Sequence, residues 1–175
     1  MRIFDIVISL SGILLLTPIF VIITLLIWLD TKLPFFLQER VGLNKKPFLL
    51  IKFRTMKKNT PSVGTHLMDN SAITKTGNFL RKTKLDELPQ LWNVLSGDMS
   101  IVGPRPCLFN QRKLISERTK RTVFKVRPGI TGLSQISGIN MKTPTLLAKT
   151  DQKMIKEMSL YNYFYYIFKT IFKNN

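Results

Sequence analysis

Two adjacent acids, Asp86 and Glu87, follow Arg81 closely, and Arg105 comes further on in the run Gly103-Pro104-Arg105-Pro106. A carboxylate can attack phosphorus or hold a divalent cation, and guanidinium groups neutralise phosphate oxygens, so acids beside such bases supply the parts of a phosphoryl-transfer site. Arg81 adjoins the acids and Arg105 sits in a proline-stiffened turn, where a planar guanidinium can grip phosphate bidentately. The same residues have a plainer meaning. Pro89 suits only a first helical turn or a break, so a helix starts near the acids, whose charges would also serve as simple caps at its positive end. The remaining basic groups, from Lys45, Lys46, Lys52 and Arg54 to the stretch between Leu108 and Lys125, read as solvated or lipid-headgroup faces.

Other reactive side chains offer less. Cys107 has no partner for a disulfide and no neighbouring His, which marks it as a buried spectator in a reducing compartment. His66 is the only histidine, so with no Cys cluster it reads as a surface residue and not a zinc ligand.

Several elements must position these groups. Leu85, Leu88, Leu91, Trp92 and Leu95 recur at helical spacing and make 78–96 the clearest helical pattern, with Asp86, Glu87, Gln90 and Asn93 on its other side. The apolar runs Phe35-Phe36-Leu37-Gln38 and Phe48-Leu49-Leu50-Ile51-Lys52-Phe53, separated by Gly42, Asn44 and Pro47, predict a small hairpin. Residues 57–77 are polar and predict a loop. The stretch from Leu108 to Lys125 predicts a basic helix, and Arg127-Pro128-Gly129 a rigid turn.

Ile6 to Leu29 carries no charge and, as continuous helix, would reach about 36 Å, enough for a hydrocarbon core of about 30 Å. This segment belongs in lipid. Pro18 removes a helical hydrogen bond in its middle and predicts a bend or break there, with Thr17 able to satisfy some freed backbone. A kinked spanning helix and a re-entrant one both fit. In either case the basic remainder belongs in the cytoplasm. Near the carboxyl end, Leu160 to Phe172 is crowded with aromatics beside lysines, which suits either a bilayer interface or the domain's own core. With 27 Lys and Arg against 10 Asp and Glu, a net charge of +17, the 175-residue chain should attract phosphates, acidic headgroups or nucleic acid.

The phrases Gln38-Glu39-Arg40-Val41-Gly42, Lys52-Phe53-Arg54-Thr55-Met56, Phe79 through Leu95, Gly97-Asp98-Met99-Ser100-Ile101-Val102-Gly103-Pro104-Arg105-Pro106 and Arg127-Pro128-Gly129-Ile130-Thr131-Gly132-Leu133 resemble, in order and over nearly the whole chain, the bacterial sugar transferases, monotopic phosphoglycosyl transferases. The resemblance implies an α+β, mostly helical fold: one compact membrane-associated domain. Residues 1–30 would form a re-entrant membrane helix broken at Thr17-Pro18, residues 31–175 a cytoplasmic catalytic domain continuous with it, and the C-terminal helix would lie at the interface. It implies that Asp86 attacks the sugar-linked phosphorus of a UDP-sugar, expelling UMP, and that polyprenyl (undecaprenyl) phosphate then takes the phospho-sugar from Asp86. Glu87 would bind Mg²⁺, and Lys52, Arg81 and Arg105 would contact phosphate. The product would initiate a glycan such as O-antigen, capsule, exopolysaccharide or a glycoprotein glycan at the bacterial inner membrane. Membrane lipids are expected partners, a homodimer is open, and nucleic acid is not expected.

Three positions depart from the family pattern: Ile139 where Arg often stands, and Met154 and Tyr163 where an aromatic and an Asp usually follow the Asp matched by Asp151. Two rival readings are a membrane-tethered nucleic-acid binder, which the charge alone favours, and a non-catalytic membrane adaptor. The first lacks aromatics interleaved with its basic groups. The second gives no reason to keep both acids beside Arg81.

Overall fold

The apolar amino-terminal segment forms one helix, α1 (Arg2–Thr31), of 30 residues and about 45 Å. The computed structural model of the chain describes residues 1–58 and 72–172. Of the bend or break expected at Thr17-Pro18, no break in the helical backbone occurs: α1 stays helical through Pro18. One lost backbone bond leaves the rest of a long helix intact, and the Thr17 hydroxyl donates to the Ile13 carbonyl at 2.8 Å. Most of α1 faces outward: Leu15 stays 78% exposed, and Ile3, Leu14 and Leu29 are likewise bare.

Both ends of α1 nevertheless rest on the remainder of the chain. At its start Arg2 donates to the carbonyls of Leu95 and Met99, and the buried Asp5 carboxylate accepts from the Ser100 hydroxyl, the Ile101 N–H and the Tyr163 hydroxyl at 2.8–2.9 Å. Near its end Ile23 and Ile27 are buried against Phe53 and Leu80.

Strands β1 (Phe35–Val41) and β2 (Pro47–Phe53) form the expected hairpin, pairing antiparallel from Phe35 opposite Phe53 to Val41 opposite Pro47. Alternation places Phe48 and Leu50 in the core and Lys52 on the same face of β2. The 57–77 loop is shorter than its composition suggested. Met56 bridges to Ile73, and α2 (Lys75–Thr83) has already begun; His66 lies outside the described residues.

The helical pattern over 78–96 resolves into three pieces, with a helix starting after Pro89 as the sequence predicts. Helix α2 ends at Lys84 in the left-handed region (φ 58°), a 3-10 turn covers Leu85–Glu87, and α3 (Gln90–Ser96) starts after Pro89. Proline cannot donate the bond a continuous helix needs. The sidedness differs from expectation, since Gln90 and Asn93 are buried while Trp92 is half exposed. Asn93 is inside because its amide serves β2: it donates to the Leu49 carbonyl at 2.7 Å and accepts from the Ile51 N–H at 2.9 Å.

Strand β3 (Ser100–Val102) lies parallel to β4 (Gly129–Thr131). Just beyond β3, Gly103 sits so close to the Arg127-Pro128-Gly129 backbone that an added Cβ would fall 2.6 Å from the Arg127 carbonyl oxygen, so only glycine fits. The basic stretch contracts to α4 (Arg112–Lys120) and a 3-10 turn at Val123–Lys125. Helices α5 (Leu133–Ile136), α6 (Pro144–Lys156) and α7 (Leu160–Ile171) complete the fold.

Helix α7 combines both roles its composition allowed. Tyr163 and Tyr166 enter the main core with Val94, Met99 and Met154, whereas Tyr161, Phe164 and Phe168 stay outside. Phe164 meets Phe4 of α1 edge to face at 5.4 Å, so the exposed apolar faces of the two helices adjoin. The architecture is therefore mostly helical with two small sheets among the described residues, an α+β arrangement.

Candidate active site

The 3-10 turn between α2 and α3 carries both acids. Glu87 reaches inward, and its Oε1 accepts from Lys52 Nζ at 2.7 Å and from Arg105 Nη2 at 2.5 Å. Strand β2 supplies the lysine and the loop after β3 supplies the arginine, so one carboxylate ties together three separate parts of the chain. Burial works against its charge, but Arg105 and Lys52 outweigh burial and hold Glu87 far below the usual carboxylate range. Its two partners respond oppositely. Burial pulls Lys52 down, while Glu87 pulls Arg105 up.

Asp86 behaves differently although it is the next residue. Burial, seconded by the neighbouring Glu87 charge, raises its pKa despite the opposing pull of Lys52, Arg81 and Arg105. Arg81 approaches from α2, where its Nε donates to the Thr55 hydroxyl at 2.8 Å. The site thus pairs an acid that is firmly ionised with one that is poorly solvated as an anion. That is the division expected of one structural and one reacting carboxylate.

A cleft of about 830 Å³ opens beside Glu87, and among the described residues its walls carry five basic side chains (Arg40, Lys52, Lys84, Arg105 and Lys142) against one acid, Glu87. Such an excess of positive charge around low-dielectric walls attracts polyanions. One wall is apolar, with Leu88, Leu91, Ile130 and Ile136. Leu91 also lies against Gly12, where an added Cβ would stand 3.3 Å from Leu91 Cδ1, so the membrane helix backs this wall. The opposite wall carries Gln111, Asn140 and Met141.

Of the residues expected at the site, Glu87 touches both Lys52 and Arg105, Asp86 adjoins Glu87 along the chain, and Arg81 acts on Asp86 from α2; neither Asp86 nor Arg81 lines the cleft. Thr17 and Pro18 lie within α1 and do not line the cleft either. Arg40 escaped notice as a site residue. It lines the cleft, donates to the Pro106 carbonyl at 3.0 Å, and is brought down to about 10 by burial and then by Arg105. Strand alternation could have found it, because Arg40 and Lys52 point to the same face of the hairpin as Phe48 and Leu50.

Arg118 was also misread. The basic stretch looked solvated, yet Arg118 is 2% exposed and paired with the fully buried Asp151. Cys107 is buried as expected, its thiol pushed up mainly by burial. The departures Met154 and Tyr163 are core residues, whereas Ile139 lines the cleft.

The chain is similar to known sugar transferases. The chain is 53% identical over 106 residues to the "Uncharacterized sugar transferase EpsL" of Bacillus subtilis (strain 168), covering 61% of this chain and 52% of that protein. It is 41% identical over 181 residues to the "UDP-glucose:undecaprenyl-phosphate glucose-1-phosphate transferase" of Escherichia coli (strain K12), covering 97% of this chain but 39% of that protein. Against the "Exopolysaccharide production protein ExoY" of Sinorhizobium fredii, identity is 34% over 188 residues, covering 97% of this chain and 83% of the other. The chain therefore spans between about two fifths and four fifths of the length of these relatives. The profile of the bacterial sugar transferases matches residues 1–174, and the chain belongs to that family.

Proposed function

We propose that this chain transfers a phospho-sugar from a UDP-sugar to polyprenyl phosphate at the cytoplasmic face of a bacterial inner membrane, initiating a glycan. The observation that carries the reading is the pair of adjacent carboxylates with opposite titration, set among Lys52, Arg81 and Arg105 beside a cationic cleft. The name of the Escherichia coli relative supplies the substrate class, and glucose becomes the first sugar to try.

Asp86 is the nucleophile. Its carboxylate oxygen forms a bond to the sugar-linked phosphorus while the bond from that phosphorus to UMP breaks, leaving the phospho-sugar on Asp86. An oxygen of polyprenyl phosphate then attacks the same phosphorus and releases Asp86, giving the polyprenyl diphosphate sugar. Incomplete solvation of the Asp86 anion keeps it reactive. Lys52 and Arg105 offset phosphate charge, and their bonds to Glu87 hold them in place until substrate arrives. Arg81 stabilises ionised Asp86 from the α2 side.

No cluster of three or more His, Cys, Asp or Glu gathers among the described residues. Two carboxylates suit Mg²⁺ all the same, because that ion is usually bound by one or two carboxylates completed by substrate phosphates. Glu87, adjoined by Asp86, would hold it. When bound, Mg²⁺ neutralises charge on the phosphate oxygens during transfer.

The seat of α1 supports a monotopic placement. Its start is tied to β3 and α7 and its end to the hairpin and α2, so a domain lying on one side of the bilayer keeps both ends on that side. The exposed apolar faces of α1 and α7 adjoin and suit a single lipid-facing surface.

The test is UMP release by nanodisc-held protein with Mg²⁺, undecaprenyl phosphate and a panel of UDP-sugars headed by UDP-glucose. Wild type releases UMP with one or more donors, and Asp86→Asn lowers the rate at least about 10³-fold. Release that survives unchanged in Asp86→Asn would sink the covalent mechanism.

A further inference from the structure

Arg118 and Asp151 lie outside the cleft, and the mechanism above makes no use of them. Burying two charges costs several kcal/mol per ion unless geometry and further hydrogen bonds offset it, so the arrangement around this pair is informative. Arg118 donates to Asp151 Oδ2 through Nε at 2.9 Å and Nη2 at 2.7 Å. Its remaining terminal nitrogen, Nη1, donates to the backbone carbonyl of Arg105 at 2.8 Å. Asp151 Oδ1 accepts from the Ser134 hydroxyl at 3.0 Å. Beside Ser134, the Gln135 side chain donates to the Gly103 carbonyl at 3.2 Å.

The carbonyls at the two ends of the Gly103-Pro104-Arg105 run are therefore each held by a side chain, Gly103 by Gln135 and Arg105 by Arg118. The Arg105 side chain extends from that run to Glu87. Backbone bonds tie Gly103 and Pro104 to the β4 segment, through the Thr131 carbonyl at 2.8 Å and the Gly129 N–H at 2.9 Å, and the Arg105 carbonyl next to them is gripped by the Arg118 side chain. A planar fork that binds a carboxylate with two nitrogens and a carbonyl with a third is available to arginine and not to lysine.

We propose that Arg118, fixed by Asp151, is a positioning residue that sets Arg105 against Glu87 and the transferring phosphate, an inference that rests on the role given to Arg105 under the proposed function. Arg118→Lys keeps a positive charge beside Asp151 but cannot hold both partners, so Arg105 loses its backbone support while the buried acid keeps a counter-ion.

The test is a double-mutant cycle on the full chain in nanodiscs, read as single-turnover UMP release with Arg118→Lys, Arg105→Ala and the double variant. Arg118→Lys lowers the rate about tenfold, the scale of one charge-assisted hydrogen bond. In the Arg105→Ala background the same change costs less than about twofold, because its route of action is gone. A merely structural residue would instead show the tenfold loss in both backgrounds, and that additivity would overturn the proposal. Should Arg118→Lys fail to fold, Ser134→Ala loosens Asp151 without unpairing a charge, and its smaller loss must vanish in the Arg105→Ala background in the same way. If Arg105→Ala alone leaves the rate of wild type, the role assigned to Arg105 fails first and the positioning role falls with it.

Discussion

Neighbouring carboxylates on one 3-10 turn part company because of what each touches. Glu87 has two cations on a single oxygen, whereas Asp86 has only longer-range attraction to set against burial and a like charge. The raised Asp86 pKa has two measurable consequences. As the proposed nucleophile it must be ionised, so the acid limb of kcat/KM against pH should lie above the ordinary aspartate value of about 3.9. Protonation is favoured in the fold, so Asp86 contributes stability below its unfolded pKa and loses that contribution as pH rises through its folded pKa. Asp86→Asn should accordingly raise the thermal midpoint at pH 7, with the gain shrinking towards acid, as thermal melts across pH would show; a lowered midpoint at pH 7 would contradict it. Glu87 has the opposite sign, stabilising above its unfolded pKa and losing that only as pH falls well into acid. The two acids, Arg81 and Arg105 were legible in the sequence because charge beside a proline-fixed turn is a local signal. Arg118 was not, since nothing in a run of basic residues marks the one whose counter-ion, Asp151, lies on another helix.

Element boundaries followed the local rules where those rules were strongest. The hairpin was legible from two apolar runs divided by turn residues, and Pro89 correctly set the start of α3. Sidedness within α3 was not legible, because Asn93 is buried for the sake of the β2 backbone, a partner that only the tertiary fold supplies. Asp5, just ahead of the uncharged run, is the pin that seats α1 on β3 and α7. Tyr163 donates to that carboxylate at 2.8 Å from a fully buried position, and burial pushes its hydroxyl pKa well up, so it remains a donor. Tyr163→Phe should cost about 1.5–3 kcal/mol, the worth of a hydrogen bond to a charged group, in denaturant unfolding of detergent-held protein. Tyr161→Phe, on the exposed side of α7, should stay within about 0.5 kcal/mol. Equal losses in the two variants would argue against the pin.

At the scale of the whole molecule, a net charge of +17 and an apolar surface built from α1 and α7 act together. In the proposed placement lipid takes the apolar face, while the basic groups draw anionic headgroups and the proposed phosphorylated substrates towards the same boundary. Sidedness can be checked directly, because the one native cysteine, Cys107, is buried. A cysteine placed ahead of Met1 and an Asp30→Cys variant should both react with an impermeant maleimide from the same side of proteoliposomes; reaction from opposite sides would mean that α1 spans. The double seating of α1 also bears on the bilayer itself. Under the proposed monotopic placement, a helix held at both ends against one domain would insert its bulk into a single leaflet and add area there without adding any to the other. Each copy would then leave a small area mismatch between leaflets, with the stress relieved where the leaflet that holds α1 bulges outward. Crowded copies would then sort towards such regions with no contact between proteins, concentrating lipid-linked product in the same patches of membrane.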